Sequence, residues 1–125
     1  MILDIEHYLK IRILNTIENI PLENGYKIVN LYLEKDFNDK KYPKRLHNSF
    51  KKKKRCEYHK DILMKYNLNS QIKNMPIWEF FKVITFGELI HFFSFFTNYY
   101  NLKDNKYIFI LKEINQLRNS VAHNL

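Results

Sequence analysis

Glycine and proline are scarce, two and three residues in a chain of 125, and all-β domains use both at their many turns. The scarcity points to an all-α fold with few connections. Cysteine is scarcer still. Cys56 alone excludes an intramolecular disulfide and a four-thiolate zinc site, and suits a reducing compartment. The opening residues MILDIEHYLK carry Asp4 and Glu6 where a secretory signal would have a basic start and an apolar run, so the cytoplasm is the expected location. The longest apolar stretch, Val83 to Tyr100, is interrupted by Glu88, His91 and Asn98 and falls short of a membrane span. There is no internal repeat, no sustained heptad and no glycine-rich phosphate loop, so phosphate would have to be held by side chains.

What is present favours folding. Ten Phe and nine Tyr, with 46% apolar residues, suit one buried core rather than a disordered tail. The formal net charge is +8, and its source is local. Between residues 40 and 60 lie Lys40, Lys41, Lys44, Arg45, Lys51, Lys52, Lys53, Lys54, Arg55 and Lys60, opposed by Glu57 alone. Such a run attracts polyanions, above all nucleic acid, through its field and by releasing counterions. The plainer reading is a solvated lysine-rich face.

Apolar residues at Ile2, Ile5, Leu9, Ile13, Ile17 and Ile20 recur every three or four positions and predict an amphipathic helix, with Asp4 as its N-cap and Pro21, Asn24 and Gly25 closing it. YKIVNLYLEKDF predicts a second, shorter helix. From Phe37 to Lys54 the periodicity is weak, which suggests a mobile loop running into a helix near Ser49. Pro76 can open a new helix, and IWEFFKVITFGELIHFFSFFTNYY reads as a central helix with Gly87 as its candidate break point. Its Trp78, Phe81, Phe92, Phe93, Phe95 and Phe96 are expected in the core, with His91 as a core or interface histidine. Ile108, Leu111, Ile114, Leu117, Val121 and Leu125 form the apolar stripe of a last helix, beside which lie Arg118 and His123.

RNSVAH, residues 118 to 123, resembles the Arg, polar residue, three variable residues, His signature of HEPN ribonucleases. LDIEHYLKIRILNTI (3 to 17), GYKIVNLYL (25 to 33), MPIWEFFKVITFGELIHFF (75 to 93) and INQLRNSVAHN (114 to 124) resemble, in order, segments of Abi-like proteins, abortive-infection proteins of the HEPN superfamily. The resemblance implies an all-α, HEPN-like helical bundle of about four to five helices. It also implies metal-independent RNA cleavage in phage defence or as a toxin, without a cofactor. Family members usually continue beyond the motif, so the expectation is a single domain over residues 1–125 that is either a short member or lacks a last helix.

Carried over position by position, the catalytic Arg is Arg118, its polar neighbour Asn119 and the catalytic His His123. Histidine can exchange a proton with the ribose 2′-OH or the leaving 5′-oxygen, while the arginine fork holds charge building on the phosphoryl oxygens. The expected products are a 2′,3′-cyclic phosphate and a 5′-OH. In an ideal helix five residues turn through about 500° and rise about 7.5 Å, so Arg118 and His123 do not share a face, whereas Asn119 and His123 do. One motif supplies one His. A symmetric homodimer would place two pairs across one cleft.

The RNA-binding candidates are Lys40, Lys41, Lys44, Arg45, Lys51, Lys52, Lys53, Lys54 and Arg55. Expected partners are RNA, a second copy, and an antitoxin or phage-derived trigger, with no membrane. Cys56 and His59 supply half of a zinc site without a second ligand pair, so no metal is expected. Glu6 and His7 match a family segment and read as structural. The competing class is a non-catalytic helical module that binds nucleic acid or protein, with Arg118 and His123 serving structure.

Overall fold

The computed structural model describes residues 2–53, 57–68, 71–103 and 108–123, and the side chains of these except 2–4, 68, 109, 122 and 123. Among the described residues are seven helices: α1 (Ile2–Glu18), α2 (Lys27–Phe37), α3 (Arg45–Lys53), α4 (Glu57–Tyr66), α5 (Ile77–Val83), α6 (Phe86–Tyr99) and α7 (Ile108–His123). Between α4 and α5, β1 (Asn67–Leu68) pairs antiparallel with β2 (Gln71–Ile72). The chain is mostly helical, as its composition requires, but it uses more and shorter helices than the four to five expected. A capping box at Thr85 accounts for one of the added helices, because it divides the expected central helix in two. The chain divides into two compact units, Lys10–Ile84, and Met1–Leu9 with Thr85–Leu125.

In the unit Lys10–Ile84, α1 contributes Ile13 and Ile17, α2 contributes Ile28, Val29 and Leu33, and α5 contributes Ile77, Phe80, Phe81 and Val83 to the buried set. These follow the spacings of three and four that define one face of a helix. Phe80 is fully buried, with Tyr32 and Phe50 meeting its ring edge-on at 6.2 and 6.4 Å between centroids, a favoured aromatic geometry. The backbone of Asp4 lies inside α1, which begins at Ile2, rather than at the expected N-cap position.

The helix expected near Ser49 begins at Arg45 instead. Its first free N–H groups are satisfied from a distance: Asp36, in the last turn of α2, accepts from Leu46 N–H at 2.9 Å and from His47 N–H at 3.0 Å. A carboxylate at a helix N-terminus satisfies orphan donors and complements the helix dipole. The preceding loop, expected to be mobile, is also tied down. Asp39 Oδ1 accepts from Lys41 N–H at 2.9 Å and Tyr42 N–H at 2.8 Å, and Asp36 O accepts from Lys44 N–H at 2.9 Å.

In the other unit, the expected single central helix is split at Thr85 rather than at Gly87, which lies within α6. Ile84 is extended, and Thr85 forms a capping box: its hydroxyl accepts from Glu88 N–H at 3.2 Å while Glu88 Oε1 accepts from Thr85 N–H at 2.8 Å. At its other end Asn101, with φ 54°, sets up the turn in which Leu102 N–H reaches Thr97 O at 2.8 Å. Phe86, Leu89, Ile90, Phe92, Phe93 and Phe96 of α6 are buried, as are Ile108 and Leu111 of α7. His91 is exposed and so lies outside the core. No helix among the described residues is long and apolar enough to cross a membrane.

Candidate nucleic-acid interface and the Arg118 helix

α7 follows its predicted apolar stripe in its first half and departs from it in its second. Ile108 and Leu111 are buried, but Leu117 and Val121 are 67% and 52% exposed. In the second half of the helix it is Asn115 and Arg118 that approach α6. The amide nitrogen of Asn115 lies 3.1 Å from where a β-carbon on Gly87 would stand, so glycine is what lets the side chain come this close. One turn on, the Arg118 guanidinium sits 5.4 Å from the centroid of the Phe86 ring, within cation–π range.

Arg118 is thus half-buried and held by a ring. Among the described residues no carboxylate pairs with it, so the ring orients the guanidinium without occupying its donors. Asn119 is exposed. His123 is the last described residue of α7, and its side chain lies outside the described residues. The three motif positions therefore share one helix.

The basic segment is presented unevenly. Lys40, Lys41, Lys44 and Arg45 are exposed in the loop before α3 and at its first residue, and Lys51 and Lys52 are exposed in its last turn. Lys53 is engaged: its ammonium donates to Val83 O at 2.8 Å and lies 5.3 Å from the Phe50 ring, fixing the end of α3 to the end of α5. Lys54 and Arg55 fall outside the described residues, as does Cys56 of the half zinc site. No group of three or more His, Cys, Asp and Glu among the described residues could hold a metal ion.

Two features of this loop go beyond its run of charge. Tyr42 is 57% exposed, with the Lys41 ammonium and the Arg45 guanidinium 5.4 and 5.9 Å from its ring centroid. Sequence reasoning missed it, although an aromatic residue inside KKYPKR is a legible signal. The second is the anchor beneath. His47 is buried, its Nδ1 lies 2.8 Å from Asp36 Oδ2, and its Nε2 accepts from Ile72 N–H at 3.2 Å. Because Nε2 accepts, the proton belongs on Nδ1, donated to Asp36. Burial pushes the Asp36 carboxyl up, but the hydrogen bond from His47 and the N–H groups of Leu46 and His47 more than offset it, leaving the group below its usual value. No sequence pattern joins positions 36, 47 and 72.

Beside this anchor a cleft of about 380 Å³ is lined by Asn30, Glu34, Phe37, Asn38, Gln71, Ile72, Lys73 and Asn74. Part of its polar wall is structural, since Asn30 Oδ1 accepts from Asn74 N–H at 2.8 Å. Trp78, expected in the core, is 50% exposed. It lies edge-on to Tyr26 at 5.5 Å and covers Gly25, whose φ of 85° and lack of a side chain admit the ring.

The family model for Abi-like proteins matches the chain over residues 1–125. No curated protein and no solved structure matches it.

Proposed function

Since the chain belongs to the Abi-like protein family, whose membership suggests abortive infection in phage defence, we propose that it is a metal-independent endoribonuclease of HEPN type. The observation that carries this reading is Arg118, held against Phe86 with no carboxylate partner among the described residues. A guanidinium that is oriented before substrate arrives, with its donors still available, suits the charge that builds on a phosphoryl oxygen in the transition state.

In this reading His123 exchanges the proton of the attacking 2′-OH or of the leaving 5′-oxygen, and Asn119, four residues earlier on the same side of the helix, orients the imidazole. The 2′-oxygen attacks phosphorus, the 5′-oxygen leaves with a proton, and a 2′,3′-cyclic phosphate remains. Two copies of the chain supply the second proton-transfer group. The exposed lysines and Arg45 hold the RNA backbone.

The test is cleavage of total cellular RNA, with EDTA present, by the wild type and by His123→Ala, followed by analysis of the product ends. Cutting that vanishes in the variant and leaves cyclic phosphate supports the proposal. Silence from both proteins, with salt-dependent RNA binding intact, favours a binding module instead.

A further inference from the structure

We propose that Tyr42 is a stacking platform for an unpaired base, so that the basic loop selects single-stranded over double-stranded RNA. The proposal rests on the RNA reading above and deepens it. Counterion release explains affinity for any polyanion, duplex or single strand, and needs no aromatic residue. The loop has one nonetheless. Tyr42 is 57% exposed and lies within 6 Å of two cations, from Lys41 and Arg45. An exposed ring beside positive charge is the arrangement that single-strand binders use, since the ring takes the face of a base while the cations take its phosphates.

The platform is built in advance. Asp39, the only carboxylate between residues 38 and 45, accepts from the N–H groups of Lys41 and Tyr42 itself. Farther on, Asp36 holds Lys44, Leu46 and His47 through their backbone N–H groups. Fixing the backbone on both sides of Tyr42 lowers the ordering cost of binding. In a duplex every base face is already stacked on its neighbours, so the ring has nothing to receive. Loops, bulges and ends present free faces.

The experiment measures binding of the full chain to a labelled 2′-O-methyl single strand, which lacks the attacking hydroxyl, and to a duplex of the same length. The proteins are the wild type, Tyr42→Ala, Tyr42→Phe and the double variant Lys41→Gln, Arg45→Gln. Tyr42→Ala is expected to weaken single-strand binding roughly five- to hundredfold, to keep the salt dependence unchanged because the ring is uncharged, and to leave duplex binding as it was. Tyr42→Phe keeps most of the affinity. The double cation variant instead flattens the salt dependence, by about 0.7 in logarithmic slope for each phosphate that is no longer neutralised.

Equal single-strand affinity for wild type and Tyr42→Ala overturns the stacking role, as does an equal loss on both RNAs. Either result leaves the ribonuclease reading standing, because that reading is judged by cleavage and His123→Ala. A wild type that binds neither RNA but binds vesicles containing phosphatidylserine overturns the RNA assignment of the loop itself.

Discussion

Replacing Asp36 by alanine removes acceptors that three donors use at once: Leu46 N–H, His47 N–H and the His47 ring at 2.9, 3.0 and 2.8 Å. The first two losses amount to removing a helix cap, which costs about 1 kcal/mol. The third leaves the ring of His47, itself buried, with an unmet donor, which costs about 1–3 kcal/mol. Together the variant should lose about 2–4 kcal/mol, a large share of the roughly 5–15 kcal/mol that holds a domain folded. Urea unfolding followed by helical circular dichroism measures it. A double-mutant cycle with His47→Ala should show the two positions coupled by more than about 0.5 kcal/mol, since they share one hydrogen-bond network. The pH dependence adds a signed check. The folded Asp36 carboxyl lies below its ordinary value of 3.8, so its contribution is complete above that value and is lost as pH falls through the lower folded pKa. Wild type and Asp36→Ala should therefore differ most near neutrality and converge in acid. A loss below about 0.5 kcal/mol at pH 7, within the range of ordinary surface substitutions, would refute the claim that this anchor sets the start of α3.

Gly25→Ala places a β-carbon 3.2 Å from Ile77 Cγ2 and 3.3 Å from Trp78 Cζ3 at a φ of 85°; unfolding should show a loss of about 1–3 kcal/mol, as expected for a side chain forced into the left-handed region under packing. Thr85→Ala removes one half of the capping box at the start of α6 and should lower stability by about 1 kcal/mol, read by the same urea titration. Arg118→Lys keeps the charge but replaces the planar fork with a point charge, so cleavage should fall at least about tenfold while affinity for uncleavable RNA changes little; parallel cleavage and binding assays separate the two.

The apolar spacing of α1 and α2 was legible in the sequence, because a helix that buries one face must repeat its apolar residues every three or four positions. Pro76 likewise marked the start of α5, and the capping box of α6 was there to be read as Thr85, Phe86, Gly87 and Glu88, although Gly87 drew the break toward itself. Composition sufficed for the all-α class, and local order along the chain sufficed to align Arg118, Asn119 and His123 with the resemblance to Abi-like proteins. The tertiary structure alone decided the rest. The start of α3 depends on Asp36, ten residues before Leu46, and the anchor below it on Ile72, twenty-five residues after His47, distances across which no helical period carries information. The face that α7 turns to α6 was set by the room above Gly87 and by the Phe86 ring. Hydrophobic periodicity favours burying Leu117 and Val121, but a helix can present only one face to a given neighbour, and close packing at Asn115 and Arg118 determined which.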